Sequence, residues 1–303
     1  MYRVSVNQNR GAAMSNRYFP FVALVLAGCV TTTTQRAHLG TPPPFPAHVD
    51  VKHIVIVILE NKNADAAKVQ PFMGRLANEG AYLAQYYAIT HPSQPNYIAM
   101  ISGSTQSVTN DGNVVLHGPH IGQSVTWKTY AEDYPDGGCH TDKRIAKYVR
   151  KHNPFISFAD VADHDACRNI VPFTAFKHDF ESGNLPQLSL VIPNLDDDAH
   201  DKPVRFADDW LTAKFEPLMA DPNLWNDTLL VVTFDEDATF LNTGGDGNRV
   251  YIALWGGAVA PHTVIADVSY DHYDLLRTIE EIFHVSPLAA GDTAAHPISG
   301  IWK

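Results

Sequence analysis

The chain predicts an α/β fold, a mostly parallel central sheet flanked by helices, on two observations. Residues 53–59, 187–192, 228–234 and 250–254 are short, mainly apolar runs rich in Val, Ile and Leu, the pattern of strands buried on both faces. Segments with apolar residues at helical spacing stand between or after them, so strands and helices alternate as in βαβ units. The 303 residues are 45% hydrophobic and 18% charged, enough to build one core. A net charge of −11 with no basic run excludes a nucleic-acid partner, because phosphate-backbone binding needs clustered Lys and Arg.

At the N-terminus Arg17 is followed by a short apolar run and then Leu26-Ala27-Gly28-Cys29. A positive flank, a core too short to span a bilayer and small residues before a cysteine are the order of a signal peptide, and the last four residues resemble the lipobox of bacterial lipoproteins. Residues 1–28 are therefore expected to be removed, leaving Cys29 as a lipid-bearing membrane anchor in the cell envelope; Met14 is an alternative start. Residues 29–48 are Thr- and Pro-rich without apolar periodicity, so they read as a tether. Cys139 and Cys167 then remain in an oxidising compartment, where a disulfide is the simplest reading and two free thiols the alternative.

No second linker or internal repeat appears, so residues 49–303 read as one domain. Its first strand, 53–59, runs into Glu60-Asn61. A helix follows over 70–79, with Phe72, Met73, Leu76 and Ala77 on one face and Gly80 as its stop. Thr90-His91-Pro92-Ser93-Gln94-Pro95-Asn96-Tyr97 then opens a short helix that Gly103 ends. Two prolines pin the backbone around one hydroxyl, so Ser93 is a candidate nucleophile at a helix N-terminus, which also favours anions. A Ser/Pro/Asn cluster is, taken alone, also the ordinary sequence of a loop entering a helix. Residues 104–186 are rich in Gly, His, Asp and Pro and weakly periodic, so they read as a long insertion, with regular elements only over 125–133 and 142–151. Residues 187–192 form a strand that runs into Pro193-Asn194 and the acidic stretch Asp196-Asp197-Asp198-Ala199-His200-Asp201. A helix over 206–219 follows, then the strand 228–234 ending in Asp235-Glu236, the strand 250–254, and an amphipathic helix carrying Leu275, Leu276, Ile279, Ile282 and Phe283.

Three of these strands end in polar residues. In a parallel sheet such ends share one edge, where α/β folds place their sites. Glu60, Asn61, Asp235 and Glu236 offer hard oxygen ligands for a divalent cation, with Ser93 as a further ligand. His91, His200 and His272 are the nearest candidates to protonate a leaving group or to hold a second metal.

With these residues assembled, the chain resembles the bacterial and fungal phosphoesterase family that includes acid phosphatases and phosphatidylcholine-type phospholipases C, within the alkaline phosphatase-like superfamily. The resemblance rests on Glu60-Asn61, the segment from Thr90 to Tyr97, Tyr130-Ala131-Glu132-Asp133, Lys151-His152-Asn153-Pro154, Pro193-Asn194, Asp235-Glu236 and the 275–280 segment. It implies an alkaline phosphatase-like fold and a covalent phosphoenzyme, with a divalent ion (Ca, Mg, Mn or Zn) held by Glu60, Asn61, Ser93, Asp235 and Glu236. Superfamily nucleophiles stand three residues before a phosphate-binding Asn, which favours Ser93 with Asn96 and leaves Thr90 as the fallback. Asn194 and Asp201 complete the expected substrate contacts. Relatives often carry Asn-His where this chain has Asn248-Arg249, so an arginine–phosphate contact is expected there instead. The resulting expectation is a metal-dependent acid phosphatase hydrolysing phosphomonoesters through a phosphoserine. A phospholipase C-type phosphodiesterase and a non-catalytic cation- or anion-binding envelope lipoprotein are the alternatives.

Overall fold

The structure is a computed structural model that describes residues 39–163, 165–239 and 247–303. The predicted leader, lipobox and Cys29 lie outside the described residues. Among the described residues no helix is long and apolar enough to cross a membrane.

Twelve strands are described in chain order: β1 (His53–Leu59), β2 (Ala81–Leu83), β3 (Tyr86–Tyr87), β4 (Trp127–Ala131), β5 (Arg144–Ile145), β6 (Tyr148–Val149), β7 (Ile170–Pro172), β8 (Leu188–Ile192), β9 (Thr228–Phe234), β10 (Ile252–Gly256), β11 (Thr263–Ile265) and β12 (Tyr270–Asp271). The helices are α1 (Ala64–Lys68), α2 (Pro71–Glu79), α3 (Ser93–Ser102), α4 (Ala159–Ala162), α5 (Phe176–Glu181), α6 (Val204–Met219), α7 (His272–Phe283) and α8 (Ala290–Ala294). Eight strands form the main sheet in the order β11-β2-β10-β9-β1-β8-β4-β7.

The runs that predicted the sheet form its centre. β1 lies between β8 and β9 and is parallel to both, and every residue of β1 after His53 is buried. Register puts Leu59 beside Phe234, so the next residues, Glu60 and Asp235, leave the sheet side by side. The strand expected over 250–254 begins two residues later, and β10 runs antiparallel to β9. Asp237 N donates to Asn248 Oδ1 (2.8 Å), so both ends of that connection stand at the same sheet edge and the next strand must run back down. The 104–186 segment is not wholly an excursion. It supplies β4 and β7 to one end of the sheet.

The helices start and stop for local reasons. α2 has no cap of its own, and Asp208 of α6 accepts from Phe72 N (3.0 Å) and Met73 N (2.8 Å). At Gly80 the requirement is space rather than a left-handed turn, because a Cβ there would lie 2.2 Å from Leu254 O. Gly103, by contrast, ends α3 at φ +65, the left-handed cap that glycine adopts without penalty. Asp271 and Asp274 form a reciprocal capping box at the start of α7. Leu39 exchanges hydrogen bonds with Ser269, and Phe45 meets Trp302 edge to face, so the end of the predicted tether lies against the folded body. The Cys139–Cys167 disulfide forms as expected, with Cα atoms 5.5 Å apart. Its closure of a 28-residue separation contributes roughly 3 kcal/mol through the unfolded chain.

Beyond the sheet, α7 buries Glu280, whose Oε1 finds no donor. Burial, and then the neighbouring Asp292 carboxylate, push the Glu280 carboxyl up to about 9, against the pull of Arg277. The native state thus holds a proton that the unfolded chain has released above the ordinary glutamate value of 4.5, and stability falls as pH rises from there toward 9. Glu280→Gln keeps a donor without needing that proton. It is expected to stabilise the fold more at pH 8 than at pH 5, by an amount on the order of 1–2 kcal/mol, seen as a larger gain in Tm at the higher pH. Parallel melting curves for wild type and variant at the two pH values check this; an equal shift at both would count against the protonated carboxyl.

Candidate active site

The ends of β1, β8 and β9 and the N-terminus of α3 meet at one edge of the sheet. Glu60 N donates to Asp198 O (2.8 Å) and Asp235 N to Leu59 O (3.0 Å), which ties the three strand-end loops together. Asn61 adopts a left-handed φ of 55, a conformation asparagine tolerates, and its N–H donates to Asp235 Oδ1 (3.3 Å). Ser93 is the first residue of α3 and is 1% exposed. Its hydroxyl lies 3.1 Å from Glu60 Oε2 and 3.2 Å from Glu236 Oε1.

Glu60, Asp235 and Glu236 are each fully buried, so three carboxylates converge where water cannot screen them. Burial first, and then the neighbouring acids, raise Asp235 well above the carboxylate range. Burial likewise raises Glu60 to about 7, opposed by Lys151 and by the Tyr97 hydroxyl, which donates to Glu60 Oε1 (2.6 Å). The Asn61 side chain fits a cation here. Its amide oxygen faces Glu60 Oε2 (3.1 Å), Asp235 Oδ1 (3.3 Å) and Glu236 Oε1 (3.2 Å). Turned over, the amide nitrogen would donate to all three; with oxygen inward, the set is all-oxygen, the donor chemistry of a hard divalent ion. Asp235 Oδ2 is buried without a partner, which also suits a ligand. Among the described residues no three His, Cys, Asp or Glu side chains are grouped as a metal cage.

The three candidate histidines separate. His91 stays at the site, donating from Nδ1 to Glu236 Oε2 (2.5 Å), with Nε2 buried, without a hydrogen bond, and 3.7 Å from Asp237 Oδ1. Burial lowers its pKa, but the hydrogen bond to Glu236 and the charges of Glu236 and Asp237 outweigh that and raise it. His272 is not available as an acid. Both its ring nitrogens are engaged, Nε2 with Asp235 O (2.7 Å) and Nδ1 with the Tyr86 hydroxyl (2.9 Å), and burial lowers it to about 4. It holds the Asp235 backbone in place. His200 sits at the rim, 31% exposed, paired with Asp201 (2.7 Å).

Other expected contacts are spent on the scaffold. Asn96 is fully buried, and its amide brackets the preceding loop, accepting from Ile89 N and Thr90 N (both 3.0 Å) and donating to Thr90 O (2.8 Å) and Pro92 O (3.3 Å). The expected phosphate contact is thus replaced by a brace that sets the entry to α3. Thr90 Oγ1 donates to His91 O (3.2 Å) rather than to the acidic cluster. Asn194 Oδ1 accepts from Asp196 N (3.0 Å) and Asp197 N (3.3 Å), which fixes its own turn. Arg249, expected at phosphate, pairs with Asp65 (2.9 Å), while Asn248 links Thr90 O to Asp237 N.

Sequence reasoning missed Lys151 and His152, although both stand in one of the motifs that carry the resemblance. Lys151 Nζ lies 3.4 Å from Ser93 Oγ and 3.0 Å from Asp111 Oδ2. His152, 1% exposed, stacks on Tyr97 with its ring nitrogens 3.1 Å from Glu60 Oε1 and 3.2 Å from Asp198 Oδ2. Both contacts are close but poorly aligned for hydrogen bonds, since His152 Nε2 and Asp198 Oδ2 have no bonded partner. Burial holds His152 well below the usual histidine range. Both residues belong to the 139–167 segment that the disulfide closes.

The phosphoesterase family profile matches residues 66–286. The chain is 37% identical over 294 residues to a phosphatidylinositol-3-phosphatase of Mycobacterium tuberculosis, covering 92% of this chain and 94% of that protein. It is 33% identical over 302 residues to a phosphate-repressible acid phosphatase of Penicillium chrysogenum, covering 90% of this chain and 72% of that one. Among solved structures, an alkaline phosphatase superfamily protein of Vibrio parahaemolyticus superposes with a TM-score of 0.58 at 14% identity, covering 86% of this chain and 73% of that one. That likeness agrees with the sheet described above. By sequence over most of its length, the chain belongs to the phosphoesterase family and is a phosphoric ester hydrolase.

Proposed function

We propose that the protein is a metal-dependent phosphatase of the acid phosphatase type, which hydrolyses phosphomonoesters through a phosphoserine on Ser93. The observation that carries this is the setting of Ser93: a buried hydroxyl at the start of a helix, aimed between two carboxylates with an ammonium beside it. Glu60, Asn61, Asp235 and Glu236, with Ser93, would hold the divalent ion, which supplies charge neutralisation at the phosphoryl group. Ser93 Oγ attacks phosphorus in line with the ester oxygen, its proton passing to Glu60 or Glu236. A Ser93 O–P bond forms as the ester O–P bond breaks. His91 donates the proton that the departing alcohol needs, and water then cleaves the phosphoserine. The names of the mycobacterial and fungal relatives support a monoester substrate, a phosphoinositide among the candidates. Export and lipid anchoring at Cys29 belong to the same reading, which rests there on the sequence alone.

The test is an acid-quench experiment on the soluble domain with a divalent ion and a chromogenic phosphomonoester. Turnover with phosphate found on Ser93 is expected. A folded, ion-supplied protein that turns over no phosphate ester would leave only the binding-protein alternative.

A further inference from the structure

We propose that Lys151 selects the dianionic monoester over the diester, by holding the phosphoryl oxygen that a diester would carry as a second ester arm. The inference rests on the phosphatase reading of the same site and concerns which ester the serine accepts.

A helix N-terminus normally offers up to four backbone donors to an anion. Here that supply is nearly spent. Pro92, the cap, and Pro95, the third residue, have no N–H, and Gln94 N donates to Asp111 Oδ1 (3.0 Å). Of the first-turn donors only Ser93's own N–H remains to be counted, so α3 cannot cradle three phosphoryl oxygens. The surroundings are otherwise acidic, with Glu60, Asp235, Glu236 and Asp111 all in the network around Ser93. Lys62, another lysine near these acids, is tied to Ala199 O (2.7 Å), and His91 is held on Glu236. Lys151 is the cationic side chain that reaches the nucleophile.

Its position is built rather than incidental. Asp111 takes Gln94 N–H on one carboxylate oxygen and Lys151 on the other, locking the ammonium to the first turn of α3. Gln94 secures the Asp111 turn in return, donating to Asn110 O (3.1 Å) and Gly112 O (2.7 Å). On the other side of Lys151, the buried Arg150 donates to Val114 O (2.8 Å) and Ile156 O (3.0 Å), which fixes the backbone from which Lys151 extends. A monoester dianion brings a third charged oxygen for that ammonium to pair with. A diester presents a neutral, substituted oxygen there and gains little from the charge.

The experiment compares para-nitrophenyl phosphate with methyl para-nitrophenyl phosphate, which share a leaving group, in wild type, Lys151→Met and Lys151→Arg at one divalent-ion concentration. Wild type is expected to favour the monoester. In Lys151→Met the monoester kcat/KM should fall about 100-fold and the diester less than about fivefold, so that the ratio collapses, and Lys151→Arg should recover much of it. Inorganic phosphate binding, read by calorimetry, should weaken about tenfold in Lys151→Met and return in Lys151→Arg. This second readout decides the matter if diester turnover is below detection. An equal loss on both esters, or Met and Arg variants that bind phosphate alike, would overturn the proposal. Should the Lys151 variants not fold, Asp111→Asn, which releases the clamp, should lower the same ratio; an unchanged ratio there overturns it too. A wild type without monoester turnover defeats the phosphatase reading itself, before any Lys151 variant is measured.

Discussion

Ser93→Ala should abolish phosphomonoesterase activity, with kcat/KM falling by about 10⁴-fold or more, the scale set by removing a nucleophile whose partners act with it as a unit. Under the proposed mechanism nothing else in the cluster replaces it, because the side chains around Glu60 and Glu236 are carboxylates, an amide and their hydrogen-bond partners rather than a second hydroxyl aimed between them. Folding should be little affected: the single O–H is shared between Glu60 at 3.1 Å and Glu236 at 3.2 Å, its oxygen faces Lys151 at 3.4 Å, and losing such a bond costs about 1 kcal/mol. Thr90→Ala is the matched control. Its hydroxyl donates to the His91 carbonyl and not to the acidic cluster, so activity should stay within about tenfold of wild type, the cost of a slightly looser loop. Steady-state rates of the two variants side by side separate the candidates, and a silent Thr90→Ala beside an active Ser93→Ala would transfer the nucleophile to Thr90.

How much of this was legible in the sequence depends on the range of the interaction. The central strands were legible because burial on both faces writes itself as a continuous apolar run, and β1, β8 and β9 show it. Their shared direction brought Glu60 and Asp235 together without any further information. β4 and β7 were harder. β4 falls inside the regular element expected over 125–133 but nothing in it says that it joins the main sheet, whereas β7 is three residues long, contains Pro172 and lies at the sheet's edge. The direction of β10 was hidden because polarity patterns do not record which way a strand runs. At the site, residue type pointed to an oxygen-rich cluster but not to the division of labour among similar residues. His91 and His272 look alike in sequence, yet one touches the carboxylates by its side chain and the other is closed off by Tyr86 and a backbone carbonyl. Asn96 likewise carries the right spacing while its amide is consumed by the loop it follows. Lys151 depends on contacts to residues 40 and 58 positions away, which no local pattern encodes.

Chelation should remove activity and destabilise the protein more at pH 7.5 than at pH 5. The reason is the cluster's own charge. Without a cation, burial raises Glu60 to about 7 from 4.5 and Asp235 well above its ordinary value, so the folded chain retains protons there that the unfolded chain has already released. A carboxyl raised in this way costs nothing below its unfolded pKa and costs progressively more as pH climbs through about 7, so the ion-free protein loses stability across that window. A divalent ion reverses the preference for protons, since it binds the ionised carboxylates and stabilises only the state that presents them together. The Tm gain on adding the ion should therefore grow from pH 5 to pH 7.5. Binding at pH 6 should also release protons, seen as a calorimetric heat that changes with the ionisation enthalpy of the buffer. Glu60→Gln should show smaller ion-dependent stabilisation and less proton release, while the ion-free variant melts higher than ion-free wild type at pH 7.5, because one of the repelling charges is gone. A pH-independent Tm gain with no proton release would place the ion elsewhere, and the buried acids around Ser93 would then have to be protonated as an ordinary feature of the working enzyme.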